Sequence, residues 1–217
     1  MTDYKARRTM MVDTQVRPSD VTKFPIIDAM LSVPREDFVP ASLREAAYVG
    51  ENIALGANRV MLEPRTLAKM LDALSIEPDH VVLDLGCGLG YSTAILAKMA
   101  EFVVAVEDDA DNATQAQNIL SESGVDNAAV MQGALRDGAA KSAPYDIVMI
   151  QGAVEVVPDA ILAQLRDGGR IACIFAEGAL GVVRVGHKID GAVNWRYAFN
   201  AGAPVLSGFQ KEAAFSL

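Results

Sequence analysis

Three glycines at alternate positions form the first feature of this sequence that predicts chemistry. They lie in the segment Asp84-Leu85-Gly86-Cys87-Gly88-Leu89-Gly90, between a β-branched run that ends at Asp84 and a helical pattern that begins at Tyr91. Because glycine has no Cβ, it lets the chain turn sharply and lets the backbone approach a ligand. The N–H groups at the start of the following helix attract a carboxylate or a phosphate. The segment therefore predicts a site for a nucleotide-type ligand.

The spacing of the glycines separates two classes of cofactor. A dinucleotide-binding loop has the pattern G-x-G-x-x-G, and Tyr91 occupies the position that its third glycine would need. NAD-linked redox chemistry is therefore disfavoured. The pattern G-x-G-x-G after Asp84 instead resembles the loop of class I methyltransferases, whose cofactor is S-adenosylmethionine. This resemblance implies that Asp84 offsets the cofactor's ammonium and that N–H groups between Gly86 and Gly90 bind its carboxylate.

Glu107 is the acidic residue that we expect to complete this site. It ends a second apolar run, Phe102 to Val106, about twenty residues beyond the loop, where a carboxylate can accept hydrogen bonds from both hydroxyls of a ribose. The alternative is an acid that is simply solvated at the end of a strand. We favour the ribose role because loop, strand end and acid occur together. Cys87, inside the loop, is interpreted as a small apolar filler rather than a reactive thiol.

The elements that position these residues follow from the pattern after Pro64. Apolar runs alternate there with helical stretches, which predicts a mostly parallel sheet with helices on both faces. Two stretches around the turn Ile189-Asp190-Gly191 predict an antiparallel hairpin that closes the sheet. Before Pro64, we expect a helix with Pro25 in its first turn. The run from Val33 to Pro40 is expected to be extended.

Composition narrows the possible partners. The chain of 217 residues has 19 Lys and Arg against 28 Asp and Glu, and its net charge of −9 disfavours a nucleic acid partner. No run approaches the roughly 20 apolar residues of a membrane helix, and no signal peptide is recognisable. Cys87 and Cys173 are the only cysteines and lack the spacing of a zinc or redox site. We expect a cytoplasmic protein with neither a metal site nor a membrane anchor.

Several segments resemble, in order, the protein-L-isoaspartate O-methyltransferase family. The resemblance implies a Rossmann-like class I methyltransferase sheet and transfer of a methyl group from S-adenosylmethionine to the isoaspartyl carboxylate of a damaged protein or peptide. It leaves the oligomeric state open. The segments are Ala29-Met30, Val33-Pro34-Arg35-Glu36, Phe38-Val39-Pro40, Ala47-Tyr48, Val82 to Tyr91, Pro144-Tyr145-Asp146, Gln164-Leu165 and Gly168-Gly169-Arg170.

The domain organisation that follows is a single methyltransferase domain over residues 1–217. We expect an N-terminal helical cap and substrate loop at 1–62 and a cofactor-binding α/β core at 63–178. A closing β-hairpin and a C-terminal strand are expected at 179–217.

Two departures from the family concern the ligand pockets. The family's substrate loop reads approximately G-Q-T-I-S-Q-P, and aligning its proline with Pro64 places Leu62 where a hydroxyl is expected. No catalytic residue is predicted, and Asn58 and Arg59 are the candidate substrate-loop residues. Arg59 either pairs with the substrate carboxylate or is solvated. After the third strand of the core, Ala134 and Leu135 replace the family's Asp-Gly, although their backbone can still line the adenine pocket.

Three hypotheses follow. The first is a methyltransferase of the isoaspartate repair type. The second is a non-catalytic, regulatory homologue that binds S-adenosylmethionine, and the third is a methyltransferase that acts on a different small substrate.

Overall fold

The computed structural model describes residues 3–56, 58–177 and 180–211, and it begins with a set of short helices. Asp3 caps the first helix, because its side chain accepts a hydrogen bond from the N–H of Ala6. Pro25 lies in the first turn of a helix, as predicted, where its missing N–H costs nothing. The elements are α1 (Tyr4–Met11), a π-helical turn (Val12–Val16), a 3-10 turn (Arg17–Ser19) and α2 (Phe24–Ser32).

The segment after α2 corrects the prediction of an extended run from Val33 to Pro40. A 3-10 turn spans Arg35–Phe38, and a second one spans Ala41–Ala46. The restriction imposed by proline acts only on the residue directly before it, and Val33 and Val39 are indeed extended. The residues between them remain free to form a turn.

Arg35 connects this N-terminal part to the chain that follows, although its side chain is completely buried. Its Nε donates to the carbonyl of Ala47 at 2.7 Å, and its Nη2 donates to the carbonyl of Leu62 at 2.8 Å. The guanidinium carbon lies 4.7 Å from the centre of the Tyr91 ring. One buried cation therefore holds two backbone carbonyls and covers an aromatic face.

A small antiparallel pair of strands leads towards the main sheet. β1 (Ile53–Gly56) and β2 (Arg59–Met61) form a two-stranded sheet of their own. The two ends of this segment are joined, because the side-chain oxygen of Asn52 accepts a hydrogen bond of 2.8 Å from the N–H of Glu63. Helix α3 (Pro64–Leu74) follows and buries the face that the apolar spacing predicts.

The main sheet confirms the predicted Rossmann-like fold with its closing hairpin. Its strands are β3 (Val81–Leu85), β4 (Phe102–Glu107), β5 (Ala128–Gln132), β6 (Tyr145–Val154), β7 (Leu165–Glu177), β8 (Leu180–Ile189) and β9 (Ala192–Asn200). They form one seven-stranded sheet in the order β5-β4-β3-β6-β7-β8-β9. The first five strands in this order are parallel to one another, whereas β8 pairs antiparallel with both β7 and β9.

The topology fixes where a ligand is expected. Helices α4 (Tyr91–Ala97) and α5 (Ala110–Glu122) connect β3 to β4 and β4 to β5, and α6 (Asp159–Gln164) precedes β7. The chain builds outward from β3 to β5 and then returns to β6 on the other side of β3. In such sheets, ligands bind beyond the carboxyl ends of the strands at this switch point. The carboxyl ends of β3, β4 and β6 therefore frame the candidate site.

Residues 201–211, which follow β9, form no strand, so the predicted C-terminal strand does not lie there. Val205 makes a single parallel bridge with Ala153, and the N–H of Leu206 donates to the carbonyl of Ala153 at 2.9 Å. Pro204 has no N–H to extend the ladder, so no strand forms. The prediction also covers residues 212–217, which lie outside the described residues. Among the residues that are described, no helix is long and apolar enough to cross a membrane.

Replacing the buried arginine tests its role in stability. Arg35→Met leaves the carbonyls of Ala47 and Leu62 without donors, and we expect a loss of about 2–3 kcal/mol in the free energy of unfolding. The matched control is Arg17→Met, because Arg17 is exposed and pairs with Asp13 within one helical turn; this change should cost less than about 0.5 kcal/mol. Urea denaturation measures both. Equal losses would contradict the role of Arg35.

Candidate functional site

The glycine loop joins β3 to α4 through three residues in the left-handed region. Gly86, Gly88 and Gly90 have φ angles of 79°, 58° and 96°, which residues with a Cβ rarely adopt. The N–H of Gly86 donates to the carbonyl of Val106 at 2.8 Å, and the N–H of Gly90 donates to the carbonyl of Cys87 at 2.9 Å. The backbone of the loop is therefore held in place at the carboxyl ends of β3 and β4.

Asp84, in β3, is completely buried and receives hydrogen bonds from three side chains. Ser92 Oγ and Thr93 Oγ1 each lie 2.7 Å from Oδ2, and Gln151 Nε2 lies 2.8 Å from Oδ1. Burial raises the pKa of Asp84, and these three bonds oppose the rise. A carboxylate has about four acceptor positions, so one remains on Asp84.

The three partners of Asp84 were not predicted from the sequence. Ser92 and Thr93 immediately follow the loop, and their hydroxyls could have been noticed at the start of α4. Gln151 has no local signal, because β6 reaches Asp84 only through the return of the chain across β3.

Glu107, the last residue of β4, is completely buried, so the alternative of a solvated strand end is wrong. Its Oε2 accepts a hydrogen bond of 2.7 Å from the N–H of Gly88. Arg59 approaches the same oxygen at 2.5 Å through Nη2, and the N–H of Asp109 reaches Oε1 at 3.3 Å. Burial raises the pKa of Glu107, whereas the bonds from Arg59 and Gly88 lower it. Glu107 therefore faces the glycine loop as sequence spacing predicts, but with a cation already bound.

Arg59 is not solvated, and that alternative is wrong, because the residue is only 5% exposed. Besides Glu107, its Nε lies 3.7 Å from Asp108 Oδ1. A Cβ built on Gly86 would come within 2.7 Å of Nη1 and 2.8 Å of Nη2, so the guanidinium lies directly against the loop. In this conformation Arg59 is committed to Glu107, and its pairing with a substrate carboxylate stays a prediction.

Leu55 fills the other part of the space in front of the loop. A Cβ on Gly88 would lie 2.5 Å from Leu55 Cδ1. The cavity that remains is about 10 Å³, which holds about one water molecule. The donors and acceptors fit S-adenosylmethionine, since a strand-end carboxylate and a glycine loop face each other, but the space between them is filled by the chain's own side chains. Residues that line the cavity include Leu55, Leu62, Cys87, Tyr91 and Gln151.

The other predicted site residues lie around this space. Cys87 is buried, and burial raises the pKa of its thiol well above the usual value, which supports its interpretation as a filler. Leu62 is buried, whereas Asn58 is exposed and has a φ of 61°.

Two residues after β5 were expected near the adenine. The structure places Ala134 on the surface and Leu135 in the core. The N–H of Gly133, directly before them, donates to the backbone carbonyl of Glu107 at 3.0 Å. Their backbone therefore begins beside the end of β4. Within the described residues, no group of three His, Cys, Asp or Glu side chains is placed to hold a metal ion.

The solved structures show the fold. One described as a protein-L-isoaspartate O-methyltransferase has a TM-score of 0.81 and 21% identity, with 93% of this chain and 66% of that chain covered. A proposed protein-L-isoaspartate O-methyltransferase from Plasmodium falciparum, in complex with S-adenosyl-L-homocysteine, has a TM-score of 0.80 and 16% identity. The match covers 95% of this chain and 99% of that one.

Sequence comparison shows the family. The family model described as Protein-L-isoaspartate(D-aspartate) O-methyltransferase (PCMT) matches residues 7–198 of this chain. A protein-L-isoaspartate O-methyltransferase from Koribacter versatilis (strain Ellin345) is 33% identical over 171 residues, which cover 79% of this chain and 77% of the relative. One from Methylorubrum extorquens (strain PA1) is 34% identical over 169 residues, which cover 78% and 74%. The chain therefore belongs to the protein-L-isoaspartate O-methyltransferase family.

Proposed function

We propose that this chain is an S-adenosylmethionine-dependent protein carboxyl O-methyltransferase that methylates the isoaspartyl carboxylate of damaged proteins. The observation that carries the proposal is the placement of the Glu107 carboxylate opposite the glycine loop, with the N–H of Gly88 donating to it at 2.7 Å. At a switch point, the ribose of a nucleotide-type cofactor needs an acidic strand end as its acceptor, and the anionic group of the cofactor needs the glycine loop beside it. Membership of the family adds the reaction and the cofactor.

Each predicted site residue receives a role in this proposal. Glu107 accepts hydrogen bonds from the two ribose hydroxyls. The N–H groups of Gly86, Gly88 and Gly90 are used within the protein, so these glycines shape the loop, and the N–H of Cys87 binds the carboxylate of the cofactor. The free acceptor position of Asp84 offsets the ammonium, directly or through water. The backbone at Ala134 and Leu135 lines the adenine pocket. We also propose that the chain is a single domain whose three parts meet at 62/63 and 178/179.

Positioning supplies most of the proposed catalysis. The bound cofactor supplies an electrophilic methyl group on a sulfonium. The substrate carboxylate is itself the nucleophile, so the protein needs neither a nucleophile nor a strong base. Holding two reactants in line contributes about 7–11 kcal/mol, and a closed apolar site excludes water from the reaction.

The substrate side has an unusual surface for a carboxylate. Leu62 occupies the place of the family's hydroxyl, and its side chain is 2% exposed. Losing one hydrogen bond to the substrate costs about 1–3 kcal/mol, or about ten- to a hundredfold in rate. Asn58 and Arg59 are the polar residues that we propose contact the substrate in its place. An isoaspartyl protein or peptide is the proposed partner, and a cytoplasmic location stays a prediction.

One observation favours a second candidate, a non-catalytic regulatory homologue. Side chains of β1 and β2 occupy the space in front of the glycine loop and leave a cavity of only about 10 Å³. A protein that kept the fold but rarely admits its cofactor would have such a site. Binding and transfer measurements separate this candidate from the enzyme.

Transfer of a labelled methyl group tests the activity. We expect the chain to label an isoaspartyl peptide well above the matched aspartyl peptide, because the proposed site positions the isomerised carboxylate. The measurement is scintillation counting of peptide methyl ester after incubation with labelled S-adenosylmethionine. Binding of S-adenosylhomocysteine without any labelled peptide would favour the regulatory candidate.

A substitution in the glycine loop tests the site. Gly88→Ala adds a Cβ that would lie 2.5 Å from Leu55 Cδ1 and that, even after Leu55 has moved, stands where the ligand must approach. We therefore expect titration calorimetry to show affinity for S-adenosylhomocysteine weakened by about ten- to a hundredfold. The matched control is Gly124→Ala, because Gly124 also has a positive φ of 70° but no atom within 4 Å of the added Cβ. Both changes place a Cβ on a backbone with positive φ, at 58° for Gly88 and 70° for Gly124. Equal affinities for the two variants would contradict the assignment of the loop.

A further inference from the structure

Two side chains of the β1–β2 pair occupy the position that the proposed ligand needs. Arg59 comes from β2 and contacts both Glu107 and the backbone at Gly86. Leu55 comes from β1 and lies against Gly88. We call Arg59 and Leu55 the internal plug. Both belong to one small element, so they enter or leave the site together.

The hydrogen bonds of Glu107 show that the internal plug and a ribose compete for the same atoms. A carboxylate has about four acceptor positions. Gly88 N–H and Arg59 Nη2 use Oε2, whereas Arg59 Nε and Asp109 N–H use Oε1. All four positions are therefore taken, and two of them by Arg59. The two hydroxyls of a ribose require those two positions, so they can bind only after Arg59 has left.

The contacts that hold the internal plug are incomplete. Arg59 Nη1 is buried and has no hydrogen-bond partner among the described residues, and a buried unpaired donor is unfavourable. β1 and β2 pair only with each other and are not part of the seven-stranded sheet. Ile53 and Met61 anchor the two outer ends of this pair in the main core. Because a two-stranded pair has little stability of its own, the part that carries Leu55 and Arg59 can move while the main sheet stays intact.

We propose that the internal plug closes the cofactor site from within and that Arg59 sets the apparent affinity of the cofactor. This inference rests on the proposed function, because it takes Glu107 as the ribose ligand. The open state alone binds the cofactor, so the observed affinity is the intrinsic affinity multiplied by the open fraction. The hydroxyls of the ribose replace the guanidinium at Glu107 when the β1–β2 pair moves away.

Removing the charge of Arg59 tests the competition. Arg59→Gln leaves the Glu107 carboxylate without its counter-ion in the closed state, which favours the open state. We expect calorimetry to show affinity for S-adenosylhomocysteine increased by about tenfold or more. Arg44→Gln is the matched control, because it removes the same charge from an exposed side chain, 4.0 Å from Asp37, and should leave the affinity unchanged.

Labelling of Cys87 reports the position of the internal plug without any cofactor. Cys87 lines the cavity with Leu55, and Cys173 is completely buried in β7, so it serves as an internal control. We expect a thiol reagent to label Cys87 at least about tenfold faster in Arg59→Gln than in the unmodified chain, while Cys173 stays unlabelled in both. Peptide mass spectrometry identifies which cysteine has reacted.

The two measurements separate the inference from the proposed function. Unchanged labelling of Cys87 overturns the internal plug. Where the unmodified chain binds S-adenosylhomocysteine measurably, unchanged or weaker affinity in the folded Arg59→Gln protein overturns it as well. If neither protein binds S-adenosylhomocysteine but labelling of Cys87 increases, the proposed function fails and the internal plug is retained. Circular dichroism of the whole chain verifies that each variant is folded.

Discussion

A carboxylate buried at the end of a parallel strand must be compensated, and Glu107 imposes this constraint on the whole site. Its charge is met by the N–H of Gly88 and by the guanidinium of Arg59. The glycine loop, the end of β4 and the β1–β2 pair are therefore coupled through one side chain. Any ligand that replaces Arg59 must bring its own hydrogen-bond donors, because burying an unpaired carboxylate is costly.

The sequence predicts much of this fold because its main signals are local. Apolar runs, helical spacing and alternating glycines depend on near neighbours, so β3, α4 and the position of Glu107 follow directly from them. The ion pair between Arg59 and Glu107 spans 48 positions, and no local pattern joins the short strand β2 to a distant strand end. The contact of Gln151 with Asp84 depends in the same way on the order of strands. Both were therefore missed.

Leu62 departs from the family only in its side chain, because its backbone is held in place. Its side chain lacks the family's hydroxyl, but its backbone carbonyl is fixed by Arg35, which belongs to a segment that resembles the family. The bond from Arg35 fixes the path of the chain at this point, whereas the leucine side chain offers no hydroxyl. A substrate carboxylate would meet a rigid backbone and an apolar surface at this point. Neighbouring polar groups must therefore bind it.

The hydrogen bond between Asn52 and Glu63 has a mechanical consequence. It joins the residues on either side of the β1–β2 pair, and Arg35 also holds the carbonyl at Leu62. Because both ends of the pair are held, the opening that we propose for it does not require α3 or the N-terminal helices to move. Ligand entry would then require only a local rearrangement, with a rate independent of the unfolding of the domain.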